Sequence, residues 1–151
     1  MEQTPSSMES MERLNGRVKI IPRRLIKDDR GWFLKVIDGK EEHLPPNTGE
    51  IYLTMGRSGQ SKGGHYHPKA VEWFTLIKGA ALLKLFDVLR GKYDEINLNF
   101  ENAVTIFVPN NIAHEFVNTG ADDFILLAYT DLLYDPSDTI AFKFDNYDRC
   151  F

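Results

Sequence analysis

The sequence predicts an all-β sandwich or barrel. Short β-type stretches recur about every ten residues, and Gly-, Pro- and Asp-rich turn signals separate them. No stretch of a dozen residues carries the periodicity of an amphipathic helix. Residues 1–17, MEQTPSSMESMERLNGR, are rich in Glu, Ser and Met without hydrophobic periodicity and read as a flexible N-terminal tail. Residues 18–151 read as a single domain. Its candidate strands are VKIIP, WFLKVI, EIYLTMG, VEWFTLIK, AALLKLFDV, YDEINLNF, VTIFVP, HEFVN and FILLAYT. The segments DDRG, LPPNTG, LRGK and NTGADD supply the residues that turns require. The end, YDPSDTIAFKFDNYDRCF, has room for a helical turn or two. Gly59, Gly63, Gly64, Gly79 and Gly91 read as turn glycines.

Composition narrows the function classes. With 151 residues and 42% hydrophobic content, the chain supports one well-cored domain. A net charge of −4, with no stretch concentrating Lys and Arg, argues against a nucleic-acid footprint. No apolar run approaches the roughly 18 residues of a membrane span. The polar, acidic start lacks the apolar core of a secretory signal. The single cysteine, Cys150, has no internal disulfide partner. These features together predict a cytoplasmic protein.

The stretch GQSKGGHYHPKAVEWFTLIKG, residues 59–79, carries the chemistry. In a strand, i and i+2 face the same side, so His65 and His67 project together. Pro68 and Lys69 permit a turn, and the next strand brings Glu72 back toward the pair. A carboxylate inside an apolar run is costly without a partner, and a cation shared with two imidazoles would be one. His114, about 40 residues on and just after a turn set by Pro109, is a fourth candidate. Three imidazoles and one carboxylate form a mixed N/O set suited to zinc, iron, manganese or nickel.

These residues resemble the first cupin motif, G-x5-H-x-H-x(3,4)-E-x6-G, filled by Gly59, His65, His67, Glu72 and Gly79. The second motif, G-x5-P-x-G-x2-H-x3-N, is matched by Pro109, His114 and Asn118, with Ala103 and Asn111 replacing its glycines. Asn tolerates positive φ, so Asn111 is expected to make the turn of the second glycine. The resemblance implies a cupin jelly roll, the double-stranded β-helix, and commonly a homodimer that exchanges N-terminal strands, here VKIIPRRLI. Within cupins, DDRGWFLKVI resembles the opening of dTDP-4-dehydrorhamnose 3,5-epimerases. KGGHYHPKAVEWFTLIKGAALLKL is similar to the cupin domain of a capsular-polysaccharide reductase. DLLYDPSDTIAFKFDNY is similar to the close of 3,4-ketoisomerases.

The resemblance implies an isomerase of a nucleotide-linked 4-keto-6-deoxysugar, working by proton transfer through an enediolate. Such chemistry needs a base and a group that holds the oxyanion. By carry-over from metal-free ketoisomerases, His65 and His67 would move the proton. With a metal bound at His65, His67, Glu72 and His114, the same lone pairs would be engaged and the metal would polarise the ketone. Arg57 and Lys62 are candidates to meet the diphosphate. Tyr52, Trp73 and Phe116 are candidates to stack on a base or sugar, with core packing as the competing role for each. Tyr134 and Tyr147 are candidate phenolic acids. Two rivals remain compatible with the residues: a metal-dependent dioxygenase and a non-enzymatic sugar-binding cupin.

Overall fold

A computed structural model describes residues 11–46 and 48–145. Residues 1–10 of the expected tail, Tyr147 and Cys150 lie outside the described residues. In chain order the strands are β1 (Glu12–Arg13), β2 (Val18–Pro22), β3 (Leu25–Asp28), β4 (Gly31–Leu34), β5 (Ile51–Gly56), β6 (Ser61–Tyr66), β7 (Glu72–Lys78), β8 (Ala80–Asp87), β9 (Lys92–Asn99), β10 (Val104–Val108), β11 (Ile112–Val117), β12 (Phe124–Thr130) and β13 (Ile140–Ala141). Single 3₁₀ turns lie at Phe100–Asn102 and Pro136–Asp138, the latter being the helical turn expected near the end.

The strands form a jelly roll of two antiparallel sheets, one of six strands ordered β1-β2-β10-β7-β12-β5 and one of five ordered β13-β6-β11-β8-β9. The β3–β4 hairpin stands apart from both. Successive strands β6 and β7 belong to different sheets, so the loop between them crosses the sandwich at one end. Period-two alternation supplies the core. Phe74, Leu76, Ile106 and Leu126 come from the first sheet and meet Leu83, Leu85, Ile112 and Phe116 from the second. No helix among the described residues is long and apolar enough to cross a membrane.

The tail boundary at residue 17 is too late. Glu12 and Arg13 pair with Lys19 and Val18, and Leu14 is buried in the main core. A two-residue strand gives no periodicity to detect, and Leu14 and Asn15 take positive φ to turn the chain straight back. Strand β6 was likewise hard to see, since SKGGHY has two glycines and no apolar alternation. Its pairing with β11 holds it in place.

Candidate functional site

Strand pairing assembles the site. In the β6–β11 ladder His65 lies opposite His114. The register shifts just after His114, where Gly63 takes φ +96° and a Cβ would lie 2.8 Å from the His114 carbonyl oxygen. Gly63 therefore serves a β-bulge rather than the turn expected of it. His67 follows β6 directly and shares the His65 face. Ring centroids are 5.0 Å apart for His65–His67, 5.0 Å for His65–His114 and 5.8 Å for His67–His114. One nitrogen from each of these rings lies within 4.8 Å of the others.

Glu72 arrives from the opposite sheet, as the first residue of β7. Its Oε1 is 3.0 Å from His67 Nε2 and 3.2 Å from His114 Nε2. Neither approach has the alignment of a hydrogen bond. Glu72 Oε1 and His114 Nε2 are both buried without a hydrogen-bond partner among the described residues. The far side of each imidazole is tied to the backbone: His67 Nδ1 meets the Asp138 carbonyl at 2.8 Å, and His114 Nδ1 meets the Ile112 carbonyl at 3.0 Å. A carbonyl only accepts, so each Nδ1 must carry the proton and donate it. That leaves two Nε2 lone pairs converging on a carboxylate oxygen. Lone pairs so arranged repel unless a proton or a cation lies among them. The three imidazoles and Glu72 therefore fit a divalent cation in both donor type and orientation.

The electrostatics follow from the same crowding. Burial, reinforced by the neighbouring His114 and His67, pushes His65 down to about 4. Burial also works against the charged form of His67, but the Glu72 carboxylate outweighs it and holds His67 above its ordinary value. Glu72 is buried too, yet the imidazoles of His114 and His67 keep its carboxyl well below the usual range. Tyr52 donates to Glu72 Oε2 at 3.3 Å. Burial and that nearby negative charge raise the Tyr52 phenol.

A cavity of about 250 Å³ opens beside the quartet, with Glu50, Tyr52, His65, His67, Glu72 and Tyr134 on its wall. A second, of about 140 Å³, shares Tyr52 and His65 and adds Lys62, His114 and Phe116. Lys62, Tyr52 and Tyr134 thus lie on a cavity wall, whereas Phe116, 2% exposed and packed on Phe74 in the main core, takes its competing role. Arg57 is exposed at the turn after β5 and lines neither cavity. Trp73 lies off the cavity as well, in the core role that competed with stacking. It follows Glu72 on one strand, so alternation sends it to the opposite face. There it packs with Phe107 and Tyr129 beneath Ile37 and Leu44, 1% exposed. Asn118 matches its motif position but is structural, donating to the Gly56 and Asp122 carbonyls and accepting from the Gly120 amide.

Two residues near the site had no sequence signal. Glu50 read as the start of a strand, yet its carboxylate accepts from the Tyr134 amide at the cavity mouth. Asp138 lies in a turn-like DPSD segment, 71 positions from the His67 ring it touches.

Residues 26–142 match the family described as the polysaccharide biosynthesis C-terminal domain. The chain belongs to this family. A UDP-2-acetamido-2,6-beta-L-arabino-hexul-4-ose reductase of Pseudomonas aeruginosa is 29% identical over 108 residues, covering 72% of this chain. The same stretch is 27% of that relative, so the chain spans about a quarter of its length. Among solved structures, a dTDP-4-dehydrorhamnose 3,5-epimerase of Sulfolobus tokodaii is similar at TM-score 0.78 and 26% identity, covering 93% of this chain and 85% of that one. A dTDP sugar isomerase of Desulfovibrio desulfuricans G20 gives TM-score 0.78 at 18% identity, with 85% of each chain covered. The capsular polysaccharide assembling protein of Staphylococcus aureus gives 0.61 at 22% identity, covering 81% of this chain but 34% of that one. Both of these support the jelly-roll fold of the family member described here.

Proposed function

We propose that this chain is an isomerase of nucleotide-linked 4-keto-6-deoxysugars, moving a proton at the carbon next to the ketone. The observation that carries this reading is the quartet of half-buried His65 and His67 with buried Glu72 and His114, opening onto a cavity of about 250 Å³. That volume is smaller than the roughly 300–1,000 Å³ of sites that enclose drug-sized ligands, so it suits a sugar ring with the nucleotide left outside. Lys62 is the only Lys or Arg on the wall of either cavity among the described residues, and the diphosphate is assigned to it. The names of the relatives support the substrate class: a keto-hexulose reductase, a dTDP sugar isomerase and a dTDP-4-dehydrorhamnose epimerase.

The quartet has one set of lone pairs. When protons occupy it, His65 accepts the α-proton from the sugar and His67 holds the developing oxyanion and returns a proton. A divalent cation held by His65, His67, Glu72 and His114 would supply Lewis-acid polarisation of the ketone. Acid–base duty then falls to the other groups on the wall, Glu50, Tyr52 and Tyr134.

Incubation with dTDP-4-keto-6-deoxyglucose or its UDP-linked 2-acetamido counterpart in D₂O, followed by NMR, tests the reading. Deuterium is expected at C3 or C5 of a 4-keto sugar for an epimerase and at C4 of a 3-keto product for a ketoisomerase. His65→Ala and His67→Ala should each abolish the exchange. Tight binding of the sugar nucleotide with no deuterium incorporated, under metal-loaded and chelated conditions alike, refutes the isomerase and leaves a binding cupin.

A further inference from the structure

We infer that Asp138 is the positioning residue of the site, holding His67 in the tautomer and orientation the quartet needs. Two sets of contacts point to it. The backbone carbonyl of Asp138 accepts the Nδ1–H of His67 at 2.8 Å. The residue is only 7% exposed, and its carboxylate accepts the amides of Lys69 at 2.8 Å and Ala70 at 3.0 Å. One residue thus grips both the imidazole and the turn that follows it. The carboxylate fixes where the carbonyl sits, and the carbonyl fixes the ring. With Nδ1 committed as a donor, Nε2 must present its lone pair to Glu72.

The grip also joins the histidine to the cavity wall. Asp138 belongs to the 3₁₀ turn Pro136–Asp138, whose first residue follows Asp135, and Tyr134 and Asp135 line the cavity. Asp131 anchors the start of this segment by accepting the Val71 amide at 2.9 Å. Residues 131–138 are therefore clamped at both ends to the 69–71 stretch between His67 and Glu72. Displacing Asp138 moves the wall and the ring together.

The inference rests on reading the quartet as the working site, but its test is made without substrate, so failure of the isomerase reading leaves it standing. Histidine-¹⁵N-labelled protein is compared by NMR, zinc-free and zinc-loaded, as wild type, Asp138→Ala and Asp138→Asn. A Glu41→Gln variant, altered on the outer face of the other sheet, controls for lost stability. In wild type the Nδ1–H protons of His67 and His114 should both be protected from exchange. Asp138→Ala should lose the His67 signal, keep that of His114, and weaken zinc binding by about 10–100-fold, as removal of an outer-shell partner does. Asp138→Asn, which keeps one acceptor oxygen for two amides, should show the same losses in smaller degree. Glu41→Gln should change neither, even at a matched fall in Tm. If Asp138→Ala loses the His114 signal as well, it has unfolded and Asp138→Asn decides. If wild type takes up no zinc, the Nδ1–H signals decide alone. A protected His67 proton surviving both Asp138 substitutions, its absence from wild type, unchanged zinc affinity where zinc binds, or the same losses in Glu41→Gln would overturn the inference.

Discussion

Glu72→Gln in the metal-stripped protein isolates the charge at the centre of the quartet while keeping its shape. Glu72 Oε1 lies 3.0 Å from His67 Nε2. At an effective dielectric near 20, unit charges at that separation attract by about 5–6 kcal/mol, a ceiling before solvent and burial are counted. A quarter of it, about 1.4 kcal/mol, is worth one pKa unit. Burial alone lowers His67, and the Glu72 carboxylate is the main influence that lifts it above 6.5. Removing that charge leaves desolvation in command, so His67 should titrate about one unit lower or more. The linkage sign follows. A folded-state pKa above the unfolded one contributes stability that is fully present below pH 6.5 and fades as pH rises through the raised value. In Glu72→Gln that fading should vanish. An NMR titration of the His67 ring in chelator-treated protein, with denaturant midpoints at the same pH values, measures both effects. A His67 midpoint unmoved by the substitution refutes the electrostatic account.

Two further outcomes bear on the frame around the site. Asn111 takes φ +63° in the turn between β10 and β11, and its amide donates to the His67 carbonyl at 2.8 Å. Asn111→Gly should fold with unchanged or slightly higher Tm, whereas Asn111→Ala should lose about 1 kcal/mol, or roughly 2–4 °C, by thermal denaturation. An alanine variant as stable as the parent would contradict the role of the turn. On the outer face, Arg23 meets Glu41 at 2.5 Å, their side chains 7% and 3% exposed. Burial opposes charge on Glu41, but the Asp38 amide, its own amide and Arg23 outweigh it and hold it at about 2. Its stabilisation is therefore complete above pH 4.5 and lost as pH falls toward 2. Denaturant midpoints should drop steeply below pH 4.5 in wild type and more shallowly in Glu41→Gln. Parallel acid profiles would remove this pair from the account.

Much of this architecture is legible in the sequence where a physical period repeats. VKIIP became β2 and FILLAYT became β12 without adjustment, because alternating residues of those stretches pack into one core. The quartet is legible for the same reason: i, i+2 parity and a short turn leave few places for Glu72 to go. Asn111 replaces a motif glycine and still turns the chain, as its tolerance of positive φ allows. What stayed hidden depends on partners rather than pattern. β1 and β6 are held as strands by their neighbours, since neither has an apolar alternation of its own. Trp73 was legible as a candidate for stacking or for the core, and its place next to Glu72 decides for the core. Asp138 reaches His67 through a backbone carbonyl, and a contact of that kind leaves no trace in residue identity.

The quartet is split between the two layers: β6, its following residue and β11 supply the histidines, and β7 supplies the glutamate from across the sandwich. A chain with its sheets parted has scattered side chains and no site at all. Any ion or substrate gripped there acts as a rivet through the protein, and its binding free energy resists the prising apart of the layers.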